Sequence, residues 1–234
     1  MIKLFQPPPG LNAANPSPFC IKLEVLLKMA ELPYEIVIEA DPRNGPTGKI
    51  PFIETDGVMM GDSGLIQDYL EEEKGAGFHA GLSETDLAVS LSFTRLIEEH
   101  LYWAVVYSRW MEDENWAVLK DMFFSKLPIP LKWFIPNVAR KQLLQGMKGH
   151  GIGRHPRETI YTMAADDLDA LAAFLGDKKY AFGDEPTALD ATLYGVLSSI
   201  IDADFDTAIK RSALSHDNLI AYTAGMRKRY FPNL

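Results

Sequence analysis

The chain has 234 residues, 47% of them hydrophobic and 24% charged, enough to bury a substantial core in one large domain or two modest ones. Its formal charge of −9 excludes general nucleic-acid binding, which needs a basic face against the phosphates, and its one cysteine, Cys20, excludes an internal disulfide framework. There is no signal-peptide pattern and no apolar stretch near the ~20 residues of a membrane-spanning helix, so a soluble, cytoplasmic protein is expected.

Met1 to Phe5 reads as a short strand, ended by the Pro7-Pro8-Pro9-Gly10 run. After an irregular stretch, Ser17-Pro18 has the composition of a helix start, since serine is favoured at the N-cap and proline at the first helical position. Ile21, Val25, Leu26 and Met29 give that helix one apolar face, and Pro33 stops it near Leu32. Tyr34 to Glu39 alternates and is rich in β-branched residues, which predicts a strand. A polar loop from Asp41 to Lys49 precedes a strand over Ile50 to Glu54. Thr55-Asp56-Gly57 predicts a hairpin turn, and Val58 to Met60 the returning strand. Asp62-Ser63 then caps a helix with Leu65, Ile66, Tyr69 and Leu70 inward.

Lys74 to Ser83 is Gly-rich and predicts a linker between two domains, 1–78 and 84–234. Strand signals largely vanish beyond it. Ser83 to Asp86 opens one long helix carrying Leu87, Leu91, Leu96, Ile97 and Leu101. Helices are predicted over Trp116 to Lys126 and Ile135 to Met147, separated by a bend rich in proline and aromatic residues. An amphipathic helix follows over Thr159 to Leu175, and a mostly apolar, hence central, one over Thr187 to Ile201. Arg227 to Phe231 reads as a helix end.

Three short stretches carry chemistry. Ser17-Pro18-Phe19-Cys20 has the spacing of a C-x-x-C redox motif with serine at the exposed first position. Dithiol exchange needs the first thiolate to attack, so that chemistry is not expected; a serine there can instead donate a hydrogen bond to a ligand's thiolate. Read alone, the tetrapeptide is first an N-cap followed by a small buried side chain. Gly48-Lys49-Ile50-Pro51-Phe52 puts a proline at the head of a strand facing that helix, and Lys49 is either a carboxylate partner or a solvated loop lysine. Asp62-Ser63 is a helix cap or a site for an amino-acid end group. Gly149 to Gly153 lacks a preceding strand and dinucleotide spacing and reads as an interhelical loop. Arg154 and His155 beside it either line a cleft or face solvent. His79, His150, His155 and His216 show no metal-ligand spacing, so no metal is expected. Tyr102, Trp103, Tyr107, Trp110 and Met111 form an aromatic cluster that divides between core, contact surface and the wall of an apolar pocket.

Taken together, Ser17, Ile50-Pro51 and Asp62-Ser63, in that order and at those spacings, resemble the glutathione transferase superfamily. Phe182 to Asp190 resembles the stretch before that superfamily's central helix, with Thr187 and Asp190 as a capping box. A finer likeness, over Ser17 to Glu24, Gly48 to Glu54 and Gly151 to His155, is to the failed-axon-connections and metaxin-like branch. The resemblance implies a thioredoxin-like α/β domain with a mixed four-stranded sheet, then an all-α domain. It implies a cis peptide at Ile50-Pro51 and catalysis by Ser17, with Phe19, Lys49, Ile50, Pro51, Asp62 and Ser63 holding glutathione as co-substrate. It further implies conjugation to a small apolar electrophile in a homodimer. The branch admits an alternative, a transferase-fold binding or scaffold protein without turnover; thiol exchange through Cys20 ranks last. The proline-rich loop before Ser17 is longer than the superfamily pattern.

Overall fold

A computed structural model describes all residues from Met1 to Leu234. Strand β1 (Ile2–Gln6) pairs in parallel with β2 (Tyr34–Ile38) through the crossover helix α1 (Pro18–Met29). On the other edge of β1, strand β3 (Phe52–Thr55) runs antiparallel and turns back into β4 (Val58–Gly61), giving the order β2-β1-β3-β4. The turn is Asp56-Gly57, both at positive φ, the conformation that lets a two-residue hairpin follow the strand twist. Helix α2 (Ser63–Glu72) returns along the sheet and buries Ile66 and Leu70.

The helical half begins with a rod. Helix α3 (Glu84–Arg95) passes through a π-helical turn (Leu96–Leu101) into α4 (Tyr102–Trp110). The sequence predicts one regular helix here. The wider turn is a difference of the kind that recurs at functional sites, and it keeps Ile97 and Leu101 buried while Glu98 and Glu99 turn to a cleft. Helix α5 (Asp113–Phe124) starts ahead of the expected Trp116, with Asp113 and Glu114 favouring its N-terminal end. Helix α6 (Leu131–His150) starts before the expected Ile135, so the second half of the predicted bend, with Trp133 and Phe134, is helical. Pro136 sits inside it, since a proline in the second turn removes only one backbone bond. The expected loop at Gly149 is the end of α6 followed by a short 3-10 turn, Ile152–Arg154. Helices α7 (Arg157–Leu175), α8 (Ala188–Ile201), α9 (Ala208–Ala213) and α10 (Asp217–Tyr230) complete the chain.

Helix α8 is the centre of the molecule: 13 of its 14 residues are buried. Its start is held by the fully buried Asp190, whose carboxylate accepts from the Thr187 N–H and hydroxyl, the Ala181 N–H and the Tyr222 hydroxyl. Burial raises the Asp190 carboxyl above its ordinary range, opposed by those donors. Helix α1 lies between the sheet and α8, with nine of its twelve residues buried. The approach is close because α8 offers Gly195 at the crossing. A Cβ there would sit 2.5 Å from the Pro18 carbonyl oxygen.

Gly195→Ala therefore forces α1 away from α8 or strains both. We expect a loss of about 1–3 kcal/mol in urea unfolding, seen as a lower midpoint at unchanged slope. A midpoint equal to wild type would show that the crossing tolerates a methyl group.

Candidate functional site

The sheet half builds one wall of a cleft from local backbone geometry. Gly45 is packed so that a Cβ would meet the Lys49 carbonyl oxygen at 2.3 Å, which closes the loop tightly and delivers Lys49 to the head of β3. The Ile50-Pro51 peptide that follows is cis, with Pro51 buried and Lys49 exposed. Across from it Asp62, at φ 76°, caps α2: its Oδ1 accepts from the N–H groups of Gly64 at 2.9 Å and Leu65 at 3.3 Å. The Ser63 N–H, in the first turn, has no acceptor within the helix and lies at its positive end.

All six residues expected to hold a ligand, Phe19, Lys49, Ile50, Pro51, Asp62 and Ser63, line this single cleft of about 600 Å³. The helical half supplies the facing wall with Arg95, Glu98 and Glu99, and α2 adds Asp68. The cleft thus carries cations at Lys49 and Arg95 and acids at Asp62, Asp68, Glu98 and Glu99. Glu98 is already committed. Its carboxylate lies 2.7 Å from the Lys22 ammonium, with the two side chains 10% and 2% exposed, in an ion pair that ties α1 to the π-helical turn.

Ser17 is placed differently from the other six. It precedes α1 at the N-cap position but makes no side-chain cap bond, contrary to the simple capping reading, and it does not line the cleft. It is half-buried. The loop before it is pinned from two directions. The buried Asn15 amide donates to the Pro7 carbonyl at 2.9 Å, and its oxygen accepts the Ser17 N–H at 3.0 Å. The buried Arg109 of α4 donates to the Pro16 carbonyl at 2.9 Å and to the Ser199 carbonyl of α8. Burial lowers the Arg109 guanidinium to about 10, so it stays charged at neutral pH beneath the serine loop.

Residues 18–115 match the family model of the glutathione S-transferase N-terminal domain, and residues 164–226 that of the C-terminal domain. The isoprene-epoxide–glutathione S-transferase of Rhodococcus sp. (strain AD45) is 31% identical over 98% of this chain and 99% of its own length. The chain belongs to the glutathione S-transferase family. Failed axon connections of Drosophila melanogaster is 32% identical over 93% of the chain, which spans 55% of that relative. Human metaxin-2 is 25% identical over 94% of the chain and 82% of its own length. Among solved structures, a glutathione S-transferase of Methylobacterium radiotolerans in complex with glutathione sulfonate has a TM-score of 0.63. It is 18% identical and overlaps 99% of this chain and 93% of its own.

Within this transferase-family fold, Cys20 is fully buried, and burial pushes its thiol up to about 12, only partly offset by the Ser17 hydroxyl. A thiol in that state is protonated at neutral pH and shielded from attack. Phe19 meets Tyr102 edge-on at 4.8 Å, which joins the cleft to the aromatic cluster on α4. The cluster continues in Trp103, stacked on His150 at 5.0 Å, and Trp110, 5.3 Å from Trp116 of α5. Arg154 and His155 do not reach the cleft; both face solvent, and Arg154 donates to the Lys148 carbonyl.

Sequence reasoning missed Arg95, Asp68, Asn15 and Arg109. For Arg109 a signal existed, because it is the only charged residue between Leu101 and Met111, and a lone cation in an apolar helix needs a buried partner.

Two outcomes follow from this geometry. Iodoacetamide at neutral pH leaves Cys20 unmodified in the folded protein and labels it once denaturant is added, as read by mass spectrometry. Rapid labelling of the native protein would contradict the burial. Lys22→Met, which leaves Glu98 without its partner, costs about 3–5 kcal/mol in unfolding experiments, and Glu98→Leu added to it restores much of the loss. A double variant whose cost equals the sum of the two single costs would show that the pair carries no coupling.

Proposed function

We propose that the cleft holds glutathione and that the protein conjugates its thiol to a small apolar electrophile, with Ser17 stabilising the thiolate. The observation that carries the reading is the convergence of Phe19, Lys49, Ile50, Pro51, Asp62 and Ser63 on one cleft with charges of both signs. A glutathione tripeptide has two carboxylates, one ammonium and two amides. Lys49 and Arg95 suit the glycine carboxylate, the Ser63 N–H and hydroxyl the γ-glutamyl carboxylate, and Asp62 with Asp68 the ammonium. The residue before a cis proline turns its backbone groups outward, so Ile50 is suited to pair with the cysteinyl amide.

In this reading the sulfur sits near the N-terminal end of α1, where helix N–H groups and the Ser17 hydroxyl favour an anion. Lowering a thiol from its ordinary value of about 8.5 by one to two units needs roughly 1.4–2.7 kcal/mol, within reach of one charge-assisted hydrogen bond and a helix terminus. The thiolate then attacks an electrophilic carbon. The C–S bond forms as the bond to the leaving group breaks, or as the C–O bond of an epoxide opens to an alkoxide that takes a proton from water. Tyr102, Trp103 and Tyr107 beyond Phe19 supply an apolar wall for that partner. The name of the Rhodococcus relative supports an epoxide as one such electrophile. Exposed Val58, Met59, Leu87 and Leu91 support a homodimer, and the reducing chemistry of a free thiol co-substrate suits the cytoplasm.

A second reading, glutathione binding without turnover, is favoured by one observation: Ser17 is not among the residues that line the cleft. Calorimetry with glutathione separates the possibilities. Wild type is expected to bind at millimolar ligand, and its complex to show the ultraviolet absorbance of a thiolate. Ser17→Ala keeps binding but loses about tenfold to a hundredfold in thiolate fraction and conjugation rate at fixed pH. No heat of binding for wild type would sink both readings. A complex whose thiolate signal ignores the mutation would leave Ser17 outside the chemistry.

A further inference from the structure

Between Asp121 and Glu158 the sequence contains no acidic residue and seven basic ones, Lys126, Lys132, Arg140, Lys141, Lys148, Arg154 and Arg157, in a chain whose net charge is −9. The same segment carries the most exposed aromatic groups in the molecule. Trp133 is 63% and Phe134 64% exposed, and Ile129, Leu131, Ile135 and Val138 beside them are also open to solvent. These residues form the projecting end of α6 and the turn that leads into it. The first turn of α6 contains no acid, and its end has no side-chain cap.

We propose that this tip docks on the surface of an anionic phospholipid bilayer, with Trp133 and Phe134 entering the headgroup region and Lys126, Lys132 and Lys141 against the lipid phosphates. Three features select a lipid surface. Successive residues on a helix point about 100° apart, so Trp133, Phe134 and Ile135 face different directions. A flat protein surface touches one of those directions, whereas a fluid headgroup layer surrounds all of them. The aromatic–lysine pairing is that of interfacial anchors, and an exposed apolar patch of this kind marks an interaction site. The charge is complementary to an anionic leaflet, and Lys126, Lys132 and Lys141 make no ion pair within the protein. A second copy meeting the same tip across a two-fold axis would oppose those lysines to themselves. No helix is long and apolar enough to cross a membrane.

The test is co-sedimentation of the 234-residue protein with vesicles of phosphatidylcholine alone or mixed with phosphatidylserine. Wild type is expected to pellet with the mixed vesicles at low salt, to be released by high salt, and to ignore pure phosphatidylcholine. Trp133→Ala with Phe134→Ala abolishes the binding while circular dichroism and glutathione binding stay unchanged. Lys126→Glu with Lys132→Glu weakens it by roughly tenfold or more. The proposal is overturned if wild type stays in the supernatant with mixed vesicles, or if the aromatic double variant binds as wild type does. It is equally overturned if that variant changes only the protein's own oligomeric state in sedimentation equilibrium.

Discussion

The fold turns on the contact between α1 and α8, where a glycine lets two backbones meet at a distance no other residue permits. Helix α1 belongs to the sheet by connectivity and to the helical half by packing, and its burial on nearly every side reflects both. The Lys22–Glu98 pair fixes its rotation against the π-helical turn, and the Thr187–Asp190 network fixes the start of the helix it rests on. One apolar cluster therefore runs from Leu4 and Ile53 in the sheet through Leu23 and Leu27 to Tyr194 and Leu197 in α8. The cleft inherits its shape from this arrangement, since one wall is built on β3 and α2 and the other on the rod that α1 locks in place.

Electrostatics in the molecule is unevenly distributed, and the unevenness has structural causes. Arg109 has no carboxylate partner; backbone carbonyls of Pro16 and Ser199 satisfy it, and the Phe205 ring lies 5.2 Å from its guanidinium. A buried cation held this way keeps the loop before Ser17 near the helical half and leaves a positive field beneath the start of α1. The cleft itself is mixed in sign, which suits a ligand that is itself zwitterionic. The segment from Met122 to Arg157 is purely basic, and its exposed aromatic tip lies apart from the cleft lining.

Much of this was legible in the sequence because local rules agreed with the tertiary outcome. Alternation in Tyr34 to Glu39, the Asp56-Gly57 turn and the helix start at Ser83 to Asp86 each specify an element without reference to anything distant. The uniform apolarity of Thr187 to Ile201 correctly placed α8 at the centre. Boundaries failed where two local signals competed. The helix expected from Ile135 starts at Leu131, and its backbone tolerates Pro136 about a turn and a half inside. The π-helical turn has no sequence rule, because Leu96 to Leu101 keeps an ordinary apolar spacing. At the site, residues carried by turns and caps were readable from their motifs. Those reaching in from afar, Arg95 from α3 and Arg109 from α4, depend on how helices cross, which periodicity alone does not encode.

The double allegiance of α1 also bears on what counts as a separable part of this molecule. A fragment ending in the Gly-rich linker would contain a complete sheet, yet the side of α1 that meets α8 would be left facing water. The helical fragment would in turn present a groove shaped around Gly195 with nothing in it. Each half is thus the other's solvent shield, and the linker joins two pieces that mature as one. Variation at the crossing would then be inherited in pairs: a bulkier residue on α8 would be tolerated only with a retreat on α1, and the cleft would shift with it.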